Sequence, residues 1–220
     1  MNQNFIISGG VLVKYRGSET NVILPEGIIA IGENAFQNNI AVASVTFSNS
    51  VVMVRKNAFE GCVNLSKLEN YSQITHYEKE CFKNTGLREV TIGPKVQFLG
   101  EYCFSHNQYL GTVVYKPNKT IAVNNTFAFC SNLTELEMDD NYFFPSYFRR
   151  IYVTNNPQDK RPTYGDLFFG TPFIKTLKEE LIDAIKLGVC FDCGGRIKKG
   201  LFHARCTQCK IDYKNKGQVV

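Results

Sequence analysis

Residues 23–36, ILPEGIIAIGENAF, carry the pattern that decides the fold of this 220-residue chain. The aromatic that closes this segment recurs at separations of 23, 23, 22 and 23 residues, as Phe36, Phe59, Phe82, Phe104 and Phe127. In the first four units, apolar residues stand five and eight positions before the aromatic, as Ile31 and Ile28 do before Phe36. One unit alone cannot bury its apolar edge but stacked copies can, so the period predicts a solenoid.

A second apolar segment follows each aromatic and has the leucine-rich-repeat spacing L-x-x-L-x-L. In the first unit it consists of Val42, Val45 and Phe47, and the later units repeat it, with one residue fewer before Leu87. Such a segment forms a strand whose apolar residues face the core while the residues between them face solvent.

Three segments make the resemblance to a known family specific. They are residues 5–17 (FIISGGVLVKYRG), residues 23–36, and residues 90–104 (VTIGPKVQFLGEYCF). These segments resemble the BspA-like class of leucine-rich repeats, including the N-terminal hairpin that often caps it, over roughly residues 5–175. The resemblance implies a mainly β solenoid of about five to six repeats of 22–23 residues, used in protein or surface recognition and commonly exported.

The start of the chain departs from that exported pattern. Residues 1–5 lack the basic and apolar regions of an export signal, and no run of about 18 apolar residues exists to span a bilayer. The sequence therefore predicts a cytoplasmic protein without a membrane span, with a secreted or surface location as the less favoured alternative.

The period breaks after Met138, and three features are expected beyond it. An aromatic insertion carries Phe143, Phe144 and Tyr147, and a last irregular unit follows near Gly170. Residues 175–187 place leucine and isoleucine at i, i+4 and i+8, which predicts a helix that caps the open end of the solenoid. We therefore assign residues 1–187 to the solenoid with its caps.

The eight cysteines fall into two classes. Four are scattered through the repeats at packing positions and are expected to be buried small hydrophobic residues, namely Cys62, Cys81, Cys103 and Cys130. The other four form a C-x2-C-x12-C-x2-C pattern, namely Cys190, Cys193, Cys206 and Cys209.

This clustered pattern predicts a small zinc ribbon over residues 188–220. Each CxxC turn supplies two thiolates, and a hairpin between the pairs brings four soft ligands around one tetrahedral ion. With no coordination position left for water, the zinc is structural rather than catalytic. Another thiophilic metal, an iron–sulfur cluster, a thioredoxin-like pair, and His203 as a ligand are the alternatives.

Function is expected on exposed surfaces, through a protein partner whose identity the sequence does not give. The sheet face supplies the first set of candidate binding residues: Lys67, Glu69, Glu89, Thr91, Thr112, Glu135 and Glu137. Phe143, Phe144 and Tyr147 of the insertion supply the second, because aromatic residues are enriched in interface cores. The oligomeric state is left open.

The basic tail suggests an alternative function. From Lys186 onward the chain carries a net charge of +6, against −1 for the rest. Arg196, Lys198, Lys199 and Arg205, with aromatic residues between them, are therefore candidates for contact with DNA or RNA.

Catalysis is not expected. The three histidines have no nucleophile motif near them, and the chain lacks a P-loop, a dinucleotide fingerprint and an HExxH pair. The sequence therefore predicts a non-enzymatic interaction module.

Overall fold

The computed structural model describes residues 3–116, 121–122, 125–138, 170–172, 197–199, 203–206 and 212–214. Residues 3–116 and 125–138 consist of strands, turns and bends without a helix. The aromatic insertion and the capping helix predicted over residues 175–187 lie outside the described residues.

Each coil of the solenoid contributes one short and one longer strand. The short strands and an N-terminal hairpin form a seven-stranded sheet, in the order β1 (Phe5–Ser8), β2 (Val11–Tyr15), β4 (Ala30–Ile31), β6 (Met53–Val54), β8 (His76–Tyr77), β10 (Phe98–Leu99) and β12 (Ile121–Ala122). Strands β1 and β2 are antiparallel and β2 pairs in parallel with β4, so the predicted hairpin covers the first coil.

The longer strands form two parallel sheets of three strands each. They are β3 (Asn21–Ile23), β5 (Ser44–Thr46) and β7 (Lys67–Glu69) in one sheet, and β9 (Glu89–Ile92), β11 (Thr112–Tyr115) and β13 (Glu135–Met138) in the other. Within each sheet, residues 23 apart pair directly, as Ser44 does with Lys67 and Thr112 with Glu135. The period read from the sequence is therefore the register of the sheets.

A stack of buried aromatic rings runs through the core. The stack begins at Tyr15 of the hairpin, whose ring centroid lies 4.7 Å from that of Phe36. The ring of Phe36 in turn lies 4.6 Å from that of Phe59. Phe82 lies 4.9 Å from Phe59, and the rings are 6° from parallel. Because this separation matches the strand spacing of about 4.8 Å, one aromatic per coil is enough to make the stack continuous.

Left-handed backbone conformations flank each stacked aromatic. The residues two positions before it have positive φ in every coil, namely Asn34, Asn57, Glu80, Tyr102 and Asn125. The residues two positions after it do the same, namely Asn38, Gly61, Asn84, His106 and Phe129. Asparagine and glycine tolerate this conformation best, which explains their recurrence around the aromatic.

Gly170 continues the second of these columns. Its φ is 72°, and a Cβ atom built on it would lie 2.9 Å from Cδ1 of Phe129. The next residue, Thr171, is buried. Gly170 therefore follows Phe129 in the column, at the position that the sequence predicts for the last irregular unit.

The shortened unit coincides with an interruption of the longer-strand sheets. Strands β7 and β9 belong to separate sheets, although their neighbours on both sides are paired. The hydroxyl of Tyr71 accepts a hydrogen bond from the backbone N–H of Thr91 at 3.2 Å. A side chain thus satisfies a backbone donor where the ladder is interrupted.

Three strands near the C-terminus form a separate antiparallel sheet. They are β14 (Ile197–Lys199), β15 (His203–Cys206) and β16 (Asp212–Lys214), in that order. Strand β15 is central and pairs with both neighbours.

Candidate binding surfaces

The first candidate surface is the outward side of the longer strands, which we call the ladder face. The register aligns Asn21, Ser44 and Lys67 in one row of the first sheet, and Ile23, Thr46 and Glu69 in the other. In the second sheet the rows are Glu89, Thr112 and Glu135, and Thr91, Val114 and Glu137. The sheet residues predicted to bind a partner therefore lie in regular rows.

In the first sheet of the ladder face, polar side chains contact each other both across the strands and along strand β7. Ser44 Oγ donates a hydrogen bond to Oδ1 of Asn21 at 2.7 Å, and Thr46 Oγ1 donates to Oε2 of Glu69 at 2.8 Å. Lys67 Nζ lies 2.5 Å from Oε1 of Glu69. The hydrogen bond from Lys67, followed by that from Thr46, lowers the pKa of Glu69, so this carboxylate stays ionised at neutral pH.

The second sheet of the ladder face is acidic. Strands β9, β11 and β13 carry the exposed carboxylates Glu89, Glu135 and Glu137 and no basic residue. Oε2 of Glu135 accepts a hydrogen bond from Thr112 Oγ1 at 3.0 Å. A cationic partner surface would complement this half of the ladder face.

A second candidate surface, on the seven-stranded sheet, was missed by the sequence analysis. We call it the short-strand face. Its first row joins Gly10, Ile29, Val52, Thr75 and Gln97 through backbone hydrogen bonds of 2.8 to 3.0 Å. Its second row consists of Val11, Ala30, Met53, His76 and Phe98.

Neither row of the short-strand face contains a Lys, Arg, Asp or Glu. Ile29 and Val52 lie on neighbouring coils and are 52% and 41% exposed. Contiguous exposed apolar side chains mark contact surfaces more often than isolated ones do. The unbroken apolar runs around Ala30 and Met53 are the signal that could have identified this face.

The four cysteines of the repeats are buried and free, as predicted. Burial raises the pKa of the Cys62 and Cys130 thiols to about 12, and it also raises that of Cys81. The Sγ atoms of Cys62 and Cys130 donate to the backbone oxygens of Phe36 and Phe104, at 3.1 and 3.2 Å. These thiols fill the core and have no reactive setting.

The repeats match a known family. The sequence profile of the BspA type leucine rich repeat region matches residues 14–146 in six copies. The chain belongs to this family. Proteins of the BspA-type family are generally protein-interaction or surface modules, and the solenoid scaffold is typically non-enzymatic.

Solved structures of leucine-rich-repeat proteins show the same fold. A leucine-rich-repeat protein of T. pallidum is similar at 21% identity and a TM-score of 0.54, over 62% of this chain and 80% of that one. A leucine-rich-repeat protein of Eubacterium ventriosum is similar at 19% identity and a TM-score of 0.52, over 60% of this chain and 38% of that one. The matched part thus spans well under half of the second protein. No curated protein matches the sequence.

The C-terminal sheet contains one of the four clustered cysteines of this BspA-type chain. Cys206 lies on the central strand β15, opposite Ile197, whereas Cys190, Cys193 and Cys209 lie outside the described residues. Among the residues that the structure describes, no group of three or more metal-ligating side chains occurs. The four thiols suit a tetrahedral zinc ion in their chemistry.

The predicted nucleic-acid contacts are only partly described. Lys198 is paired with Arg205, and Lys199 with Ala204, whereas Arg196 lies outside the described residues. Phe143, Phe144 and Tyr147 of the insertion also lie outside them. Across the described ranges, no helix is long and apolar enough to cross a membrane.

Proposed function

We propose that this protein is a non-enzymatic interaction module whose ladder face binds a protein partner with a cationic surface. The observation that carries the proposal is the in-register placement of side chains in two rows, ending in the acidic sheet of Glu89, Glu135 and Glu137. Solenoids present broad surfaces of this kind, and fields of one sign favour partners of the other.

The contacts within the ladder face indicate which residues a partner would engage. Glu69 is already bonded to Lys67 and Thr46, so a partner there must replace existing interactions. The acidic sheet has no basic residue on its own strands. A cationic side chain of a partner would therefore form its most favourable charge-assisted hydrogen bonds at Glu135 and Glu137. The aromatic insertion, which follows β13 in the chain, remains a further candidate contact.

Capture of binding proteins by the full chain, with quantitative mass spectrometry, tests this proposal. The variant Glu135→Lys with Glu137→Lys is expected to lose the true partner, whereas Glu26→Lys, in an exposed turn off the ladder face, is expected to keep it. Deletion of residues 188–220 is also expected to leave capture intact.

A matched variant on the short-strand face tests which of the two candidate surfaces binds the partner. Val52→Lys changes the short-strand face, at a side chain that is 41% exposed. Loss of the partner in Val52→Lys but not in the ladder variant would contradict the proposal and assign binding to the short-strand face.

We also propose that residues 188–220 form a structural zinc ribbon with Cys190, Cys193, Cys206 and Cys209 as ligands. The C-x2-C-x12-C-x2-C spacing supports it, and so does the position of Cys206 on the central strand of an antiparallel sheet. Bound zinc would link the two CxxC turns and supply much of the folding free energy of this short segment, on the order of 10 kcal/mol. Thiolate ligands also fit a reducing compartment such as the cytoplasm.

Metal analysis of the purified chain tests the ribbon. One zinc per chain is expected, and Cys206→Ser should lower the zinc content strongly. Cys62→Ser, in the core of the repeats, is the control and should leave it unchanged. Iron with a visible absorption band, or no metal at all, would refute the zinc assignment.

A further inference from the structure

The register of the C-terminal sheet sorts its residues onto two faces. Lys198 is directly opposite Arg205, which is opposite Asp212, and His203 is opposite Lys214. Because successive residues of a strand alternate between faces, these five positions share one face, which we call the cationic face. The other face holds Ile197, Lys199, Ala204, Cys206 and Tyr213.

This arrangement separates residues that look equivalent in the sequence. Lys198 and Lys199 are adjacent in the chain, but they belong to opposite faces. The cationic face unites Lys198, Arg205 and Lys214 from three strands, with Asp212 as its one acidic position. The face that holds Cys206 has Lys199 as its one charged position.

The pairing on the cationic face is unfavourable for the isolated sheet. Like charges directly opposite each other on neighbouring strands destabilise the pair, and Lys198 and Arg205 are placed in that way. Among the described residues of the sheet, the one carboxylate is Asp212, which lies on the far side of Arg205. Real proteins break local rules of this kind at functional sites and compensate for them elsewhere, so this pairing marks the face as a candidate site.

We propose that the cationic face binds the phosphate backbone of nucleic acid, without reading its sequence, through Lys198, Arg205 and Lys214. This site goes beyond the protein-binding role of the ladder face and does not depend on it. Neighbouring strands are about 4.8 Å apart and alternate residues about 6.8 Å apart, so Arg205 lies about 5 Å from Lys198 and about 8 Å from Lys214, and the outer two positions are about 12 Å apart. Such a set requires a ligand with closely repeated negative charges.

Nucleic acid fits this requirement better than a membrane does. A duplex carries one negative charge per about 1.7 Å of its axis, so several phosphates can face the three cations at once. Peripheral membrane binding combines basic with apolar residues on one surface, and the cationic face has no apolar position. Arginine at position 205 can also bind a phosphate with two parallel hydrogen bonds.

The test is fluorescence anisotropy of a labelled oligothymidine and of a labelled duplex, titrated with the full chain at several salt concentrations. Neutralisation of three phosphates predicts a slope of log K against log [salt] of about −2 for the single strand and about −3 for the duplex. Lys198→Ala, Arg205→Ala and Lys214→Ala should each weaken binding and reduce the slope by about 0.7 to 0.9.

Two variants serve as controls within the same sheet. Lys199→Ala removes an equal charge from the opposite face and should change both affinity and slope much less. Asp212→Asn removes the one carboxylate of the cationic face and should strengthen binding. The ladder variant Glu135→Lys with Glu137→Lys should still bind, whereas the variant that combines Lys198→Ala, Arg205→Ala and Lys214→Ala should not, which separates this site from the ladder face.

Three results would overturn the inference. The first is the absence of binding at low salt by the wild-type chain. The second is an equal loss in Lys199→Ala and Lys198→Ala, because charge would then act without regard to the face. The third is binding to phosphatidylserine vesicles or polyglutamate as tight as binding to the oligonucleotides, since the face would then recognise another class of polyanion.

Discussion

Phe82 occupies the middle of the aromatic stack, so its replacement tests whether that stack holds the solenoid together. Its side chain is fully buried, 4.9 Å from the ring of Phe59 and 5.4 Å from that of Phe104. The ring of Tyr77 approaches it at 6.1 Å. Two replacements distinguish the loss of volume from the loss of stacking, namely Phe82→Ala and Phe82→Leu.

The expected magnitudes follow from these contacts. Phe82→Ala leaves a cavity in a closely packed core and should lower the free energy of unfolding by about 3–5 kcal/mol. Phe82→Leu keeps most of the volume but removes two stacked pairs, each worth about 0.5–1.5 kcal/mol, so we expect a loss of about 1–3 kcal/mol. The free energy of unfolding should therefore increase in steps from Phe82→Ala to Phe82→Leu to the wild type.

Urea unfolding monitored by the circular dichroism of the strands measures both variants. Tyr109→Ala is the control, because this ring is 56% exposed and contacts the guanidinium of Arg88 at 5.8 Å, outside the stack. It should change stability by less than about 1 kcal/mol. If Phe82→Leu were as stable as the wild type, stacking would contribute nothing beyond burial and the reasoning would be wrong.

Three further predictions concern the turns and the buried thiols. Asn57 has a φ of 55°, and its buried Oδ1 has no hydrogen-bond partner in the described part of the chain. In urea unfolding, Asn57→Ala should lower the free energy of unfolding by about 1 kcal/mol, whereas Asn57→Gly should stay near the wild type. The thiols of Cys62 and Cys130 keep their protons to a pH of about 12 when folded but ionise near 9.0 when unfolded. The free energy of unfolding should therefore fall as the pH rises from about 9 towards 12, and more steeply than in Cys62→Ala; an equal slope would contradict the burial argument. The same two thiols should react with a thiol reagent at the rate of unfolding, and prompt labelling of the folded chain would show that they are accessible.

The regular part of the fold could be predicted because one period determines several features at once. Spacing from Phe36 to Phe59 gives the register of the strands, the stack of rings and the burial of Ile31 and Val54. Each coil repeats the same residue pattern, so an ambiguous assignment in one unit is resolved by comparison with the neighbouring units. The six matched copies confirm that assignment.

Features that depend on a single coil could not be predicted in this way. The shortened unit was visible in the sequence, but the interruption between β7 and β9 was not. It is bridged by the hydroxyl of Tyr71, which reaches the N–H of Thr91 20 residues away. No periodic signal marks such a contact, because it occurs where the repeat is irregular.

The candidate surfaces show the same division. The ladder face follows from strand alternation, so residues such as Lys67 and Glu135 could be assigned to it from the sequence. The short-strand face was not assigned, because a strand of two residues has no alternation to read and the unbroken apolar run around Ile29 was its one signal in the sequence. In the C-terminal sheet, Lys198 and Lys199 are equal candidates for nucleic-acid contact by composition, and the strand register assigns them to opposite faces.

The solenoid construction makes effects on recognition separable by experiment from effects on stability. Each coil contacts its immediate neighbours, so a charge reversal at Glu135 on β13 is expected to act locally and not to disturb the first coils. A change in the aromatic stack is different, because the rings of Phe59, Phe82 and Phe104 each support the next coil. Ladder variants that lose a partner while retaining urea stability would therefore report on recognition, whereas Phe82 variants would lose binding only together with stability.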